Sequence, residues 1–170
     1  MKDIIRIKAE ILGGFTQKPR PVHSDSEIEK FVAEVKQRMQ VLPDADVIEF
    51  VTVYGGAAFK YEVFIPVTEK LDFLPVNAPL TTVIGWNSSP SILSYIDTYY
   101  KKERIAERFF PLFEGGAGDF IYYSLEKDTM GSIYYWHPEA GRAYKVLLSR
   151  SFLEFMGALY SHKTLSALAV

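Results

Sequence analysis

Apolar residues recur along this chain with two periods, and the points where each period starts and stops mark out its elements. Ile5, Ala9 and Leu12 share one helical face and predict a short helix over residues 4–12 that Gly13-Gly14 ends, although Ile5, Ile7, Ala9 and Ile11 also alternate as in a strand. Lys18-Pro19-Arg20-Pro21 reads as a stiff extended connector, because each proline disfavours helix in the residue before it. A capping box, Ser24 with Glu27 or Ser26 with Glu29, then opens a helix from Ser26 to about Gln40 with Ile28, Phe31, Val32, Val35 and Met39 at helical spacing. A second helix begins near Pro43, turns Val47, Phe50, Val51 and Tyr54 to one side and stops at Gly55-Gly56.

The period then changes. Tyr61 to Val67 and Thr81 to Trp86 are rich in β-branched and aromatic residues and predict two strands, with Pro75 and Pro79 in the loop between them. Ile92, Tyr95, Ile96 and Tyr99 predict a third amphipathic helix from Ser91 to about Ala106, whose charged end, Lys101-Lys102-Glu103-Arg104, reads as a solvated terminus. Short aromatic strands follow at Phe109 to Phe113, Phe120 to Leu125, Ser132 to His137 and Tyr144 to Leu148. The short connections after Leu125 and His137 suit antiparallel neighbours, so these strands form a meander. Phe152, Phe155, Met156 and Leu159 predict a closing helix from Ser151 to Tyr160, and Ser161 to Val170 reads as a frayed tail or loose helix.

With 170 residues, 48% hydrophobic and 24% charged, the chain is too apolar for disorder and suits one globular domain. It has no cysteine, which excludes disulfide scaffolds, thiolate metal sites and thiol catalysis. No run approaches the ~20 apolar residues that span a bilayer. Asp3, Arg6, Lys8 and Glu10 interrupt the first apolar stretch, unlike a signal peptide, so the expected location is the cytoplasm.

Formal charge is −2, unevenly distributed. Residues 41–100 hold two basic and seven acidic side chains, and no basic stripe runs along the chain, which argues against direct nucleic-acid binding. Asp44, Asp46, Glu49, Glu62, Glu69, Asp72 and Asp97 could receive a basic protein partner; the plainer reading of them is a solvated surface.

Chemistry-bearing motifs are sparse. Glu114-Gly115-Gly116-Ala117-Gly118-Asp119 is followed by a strand and not by the helix that a phosphate-binding loop would open, so it reads as a turn needing positive φ or close backbone approach. Asp119 is read first as bonding the turn's amides and second as part of a binding surface. His23, His137 and His162 are far apart without a ligand cluster, so neither a metal nor another cofactor is expected. His137 could meet Asp119 and a serine, yet no G-x-S-x-G elbow is present. Along Tyr134-Tyr135-Trp136 neighbours point to opposite faces, so if Tyr135 packs inward, Tyr134 and Trp136 lie outside the core as interface anchors or beneath a covering helix.

Four segments in this order, LPDADVIEFVTVYGGAAF (Leu42 to Phe59), FFPLFEGGAGDFIYY (Phe109 to Tyr123), GSIYYWHP (Gly131 to Pro138) and SFLEFMGAL (Ser151 to Leu159), resemble the SUKH superfamily of Smi/Knr-like proteins. The likeness spans most of the chain from about Ser24 to Leu159; residues 1–23 and 161–170 add little to it. It implies a single α+β domain with a central, largely antiparallel sheet flanked by helices, and places Asp119 at the polar position of the glycine-turn motif. It also implies a non-catalytic role. Bacterial members commonly look like immunity proteins that bind and neutralise a cognate toxin domain, often a nuclease, and fungal relatives resemble regulators or adaptors in cell-wall synthesis. On that reading Asp44, Asp46, Glu49, Glu62, Glu69, Asp72, Glu114, Asp119, Tyr134, Trp136 and His137 are the candidate partner-binding residues, and no membrane partner or catalytic residue is expected. An enzyme would need a deep polar pocket joining Asp119 and His137.

Overall fold

The computed structural model describes residues 6, 8, 10–16, 23–69, 76–102, 104–116, 118–137 and 145–161. Residues 6, 8, 10 and 11 are helical, and Gly13 and Gly14 leave that helix at φ 101° and 81°, a region glycine enters without steric cost. The proline-rich connector lies outside the described residues.

Of the two candidate boxes it is Ser24 and Glu27 that cap α1 (Asp25–Met39): the Glu27 amide donates to the Ser24 hydroxyl while the Ser24 amide donates to the Glu27 carboxylate. Helix α2 (Ala45–Tyr54) follows and stops where Gly55 crosses Gly85. A Cβ on Gly55 would sit 2.6 Å from the Gly85 Cα and 2.3 Å from the Val51 carbonyl oxygen, so only glycine allows the crossing.

Strands β1 (Ala58–Pro66) and β2 (Asn77–Val83) form an antiparallel pair. Pro79 belongs to β2 and not to the preceding loop. Among the described residues β3 is registered with β2 only at Thr82 and Val83, so one side of β2 has no ladder partner at Pro79 and a residue without an N–H is tolerated. The third helix is shorter than its apolar spacing suggests. Helix α3 (Ile92–Tyr95) runs into a π-helical turn, Ile96–Tyr100. The amides of Arg104 and Ile105 both donate to the Tyr99 carbonyl, which turns the chain and buries Ile105.

The meander is present as β3 (Phe109–Glu114), β4 (Phe120–Ser124), β5 (Ile133–Trp136) and β6 (Lys145–Ser149), all antiparallel. Ser151 caps α4 (Phe152–Ala158), after which Tyr160–Ser161 forms a strand, β7, beside β1. Tyr160, expected as the last helical residue, and Ser161, expected to open a frayed tail or loose helix, are instead in a strand. The seven strands lie in the order β6-β5-β4-β3-β2-β1-β7. The architecture is α+β, a single domain around one antiparallel sheet.

Both faces of β3, β4 and β5 are buried. On one face Phe31 of α1 and Phe50 of α2 meet Phe110 and Phe113, and Phe155 of α4 meets Phe113. On the other, Tyr95 and Tyr99 lie on Phe120, and Tyr99 also meets Trp136 edge-on with centroids 5.1 Å apart. Helices thus cover the centre twice over. Among the described residues no helix is long and apolar enough to cross a membrane.

Candidate functional site

Alternation along β4 and β5 assembles the first polar cluster. Ile121 pairs with Tyr135 and Phe120 with Trp136, so the next positions outward, Asp119 and His137, face each other across the strands. His137 Nδ1 lies 2.5 Å from Asp119 Oδ1, and the Tyr135 hydroxyl donates to Asp119 Oδ2. Burial raises the Tyr135 pKa, and its hydrogen bond to Asp119 raises it further. The carboxylate is thus directed at two ring side chains and not at the turn's amides. The turn closes on backbone bonds instead: the Gly115 amide donates to the Asp119 carbonyl at 2.9 Å and the Asp119 amide to the Gly116 carbonyl at 3.0 Å. Gly118 adopts φ 89°, and a Cβ on Gly115 would come within 3.1 Å of the Asp119 Cβ.

Glu114, one residue before the turn, accepts from the Tyr95 hydroxyl at 3.2 Å and fastens α3 to the end of β3. A third cluster lies along the same covered face: the Tyr122 hydroxyl and Lys145 Nζ both donate to Glu107, and the Lys145 ammonium stands 4.5 Å from the Tyr134 ring centroid. Burial, with the neighbouring Glu107 charge, pushes the Tyr122 pKa up.

Tyr134 and Trp136 are buried, at 8% and 3% exposure, so they are not the exposed anchors that the binding-surface reading requires. The alternation itself holds: Tyr99 of the π-helical turn covers Trp136, and Tyr134 packs against the Tyr122 ring with the Lys145 ammonium over it. Nor do the acidic candidates form one rim. Asp44 is exposed just before α2, with Asp46 and Glu49 half-buried on that helix. Burial pushes the Tyr123 pKa up and the neighbouring Asp44 carboxylate pushes it further, so Asp44 lies beside the Tyr123 hydroxyl. Tyr123 is near the Ser124 end of β4 and Asp119 precedes the Phe120 end, so Asp44 and Asp119 occupy opposite ends of the strand. Glu62 and Glu69 are exposed on and just beyond β1; Asp72 lies outside the described residues. His23 meets Trp86 edge-on, His162 lies outside the described residues, and among those described no three His, Asp or Glu side chains are grouped to hold a metal.

Sequence reasoning missed a groove on the face of β1 and β2. One face of β1 and β2 is buried through Val63, Ile65, Ala78 and Leu80, while Glu62, Phe64, Pro79 and Thr81 lie exposed or half-buried. Between Ala58 and Val63 four residues of β1 stand opposite Thr81 alone, because Ala58 pairs with Thr82 and Val63 with Leu80. This bulge holds Tyr61 40% exposed and opens a groove of about 370 Å³ lined by Phe59, Lys60, Tyr61, Glu62, Phe64, Pro79 and Thr81 among others. One end of it is continuous with the glycine turn, where the Thr81 hydroxyl donates to the Glu114 carbonyl at 3.1 Å and Gly116 approaches the Pro79 ring. An aromatic between two opposite charges in Lys60-Tyr61-Glu62 is the only sequence signal for it.

A family model, SUKH_6, described as SMI1-KNR4 cell-wall, matches residues 29–156. No curated protein and no solved structure matches the chain.

Proposed function

The chain belongs to the SUKH_6 family of SMI1-KNR4 cell-wall description, and from that premise we propose that it is a non-catalytic protein-binding domain, an immunity protein that neutralises a cognate bacterial toxin by direct contact. The observation that carries the binding half of this reading is the bulged face of β1 and β2, on which Tyr61, Glu62 and Thr81 are exposed. In a sheet whose centre is covered on both sides, this part presents an aromatic side chain at the rim of a groove. Tyrosine buries much area with little loss of side-chain freedom and keeps a polar tip, which suits Tyr61 to anchor a partner. Glu62 beside it and Glu69 beyond the strand supply negative charge that steers a basic domain such as a nuclease.

Co-expression with the toxin domain encoded beside this gene, read as growth rescue and recovery of a complex, tests the proposal. Tyr61→Ala weakens that complex about thirtyfold, the factor for a hot spot of ~2 kcal/mol, and leaves the fold intact. Failure both to rescue growth and to form a complex would refute it. The cell-wall wording of the family description favours a second reading, an adaptor that recruits proteins of the same cell. An adaptor leaves the neighbouring toxin fully active.

A further inference from the structure

The bulge that carries Tyr61 is not held by its own hairpin. Between Ala58 and Val63 strand β1 slips out of register with β2, so the backbone from Phe59 to Glu62 has no regular ladder on that side. Its outer flank is held by two segments that lie far apart in sequence. Phe15 forms an antiparallel bridge with Phe59: the Lys60 amide donates to the Gly14 carbonyl and the Thr16 amide to the Ala58 carbonyl, both at 2.9 Å. Past the bulge, Val63 and Phe64 pair with Ser161 and Tyr160 of β7. Tyr61 and Glu62 are the residues of β1 that lie between these two supports.

The first support is itself fastened. Leu12 is fully buried, and the Phe15 ring stacks on Phe59 with centroids 5.0 Å apart and lies against Tyr54. Lys8 Nζ donates at 2.7 Å to the Gly157 carbonyl, one of the last carbonyls of α4, which a helix end leaves without an intrahelical partner. The chain passes from α4 directly into β7, so this bond ties the two supports to each other as well as to β1. The first support is nevertheless slight. Gly13 and Gly14 stand at positive φ between Leu12 and Phe15, Phe15 is partly exposed, and the union with β1 is a single bridge. It belongs to the low-stability end of the structure and opens without unfolding the centre of the sheet.

We propose that the segment from Lys8 to Thr16 is a strap that sets the affinity of the β1–β2 groove, a regulation that rests on the reading of Tyr61 as a docking residue. Docked, the strap fixes the backbone at Phe59 and Lys60, and with it the direction in which Tyr61 leaves the strand. Released, Phe59 and Lys60 lose the pairing that stands in for β2, and Tyr61 holds the binding geometry for only part of the time. A partner that fits the strapped form alone then loses affinity in proportion to the fraction released. The coupling is reciprocal, so an occupied groove also protects the strap. Lys8 and Phe15 are thus positioning residues that act through Tyr61.

Amide exchange in the full chain followed by NMR, together with binding to the toxin domain encoded beside this gene, tests this. Phe15→Ala should speed exchange of the Lys60, Tyr61 and Glu62 amides at least ~10-fold and leave those of β4 and β5 within ~2-fold of the parent. Lys8→Met should act in the same direction by ~3-fold or more, and Lys8→Arg should restore the parent rates. Phe15→Ala should weaken the complex about fivefold in the parent background and less than ~2-fold once Tyr61→Ala is present. Val146→Ala, which empties a buried site on the opposite edge of the sheet, should leave the affinity unchanged. Unchanged exchange from Lys60 to Glu62, or equal acceleration throughout the sheet, would overturn the strap whether or not a partner binds. A complex weakened by Tyr61→Ala but not by Phe15→Ala, or weakened equally by Val146→Ala, would overturn it and leave the docking reading standing. No binding by the parent chain would overturn the docking reading and the regulation with it.

Discussion

Replacing Asp119 by alanine removes the acceptor that the Tyr135 hydroxyl and the His137 ring share. Asp119 is 8% exposed and Tyr135 2%, so water replaces little of what is lost. Each hydrogen bond to a charged group contributes roughly 1.5–3 kcal/mol, and a buried polar group left unpaired costs ~1–3 kcal/mol. Partly exposed His137 regains some solvation, so the expected loss is about 3–4 kcal/mol. Asp119→Asn keeps an acceptor for Tyr135 and should cost roughly half as much. Urea unfolding gives these values directly, and the Asp119→Ala melting temperature should fall by roughly 6–16 °C. A cycle with Tyr135→Phe isolates the shared bond: the double variant should recover ~1 kcal/mol or more relative to the sum of the singles. A loss below ~1 kcal/mol for Asp119→Ala, or strict additivity with Tyr135→Phe, would refute the reading of Asp119 as a structural hub.

Gly55→Ala drives a methyl into the Val51 carbonyl and the Gly85 backbone, so it should prevent the helix–strand crossing and abolish the cooperative urea transition, while the exposed Gly157→Ala on α4 is tolerated. Phe113→Ala empties a fully buried site that touches Phe50, Phe59 and Phe155 and should lower stability by ~3–5 kcal/mol in the same assay. Burial works to raise the Asp97 pKa, but the hydrogen bonds from Lys101 and Arg38 hold it below the unfolded value, so its contribution is present above that value and disappears as pH falls through the folded one. Stability measured between pH 6 and pH 2 should therefore drop less steeply for Asp97→Asn than for the parent, the pH range being about that of carboxylate titration.

Local pattern carried the elements whose neighbours agree with it. The Ser24–Glu27 box and the spacing of Phe31, Val35 and Met39 placed α1 within a residue at each end, and the alternation of Phe120 to Tyr123 against Ile133 to Trp136 gave the antiparallel hairpin. Features that depend on distant partners were not legible. Pro79 reads as a loop residue until β3 is seen to end its pairing before it, and the apolar run from Ile92 cannot reveal that the chain turns at Tyr99. For Tyr134 and Trp136 the sequence left open whether their face was bare or covered, since coverage depends on where another helix comes to lie. Asp119 and His137 were both singled out, but the register that joins them, and Tyr135 as the third member, follow only from strand pairing.

Strand β7 sets an order on how the molecule can be completed. Tyr160 and Ser161, near the end of the described residues, pair with Phe64 and Val63, which lie well before the middle of the chain. The β3-to-β6 hairpins join near neighbours and can close during synthesis, but the outer flank of β1 gains these last rungs only after residue 161 has left the ribosome. A chain released short of Tyr160 would leave β1 unpaired on that flank at Val63 and Phe64, an edge able to recruit another polypeptide.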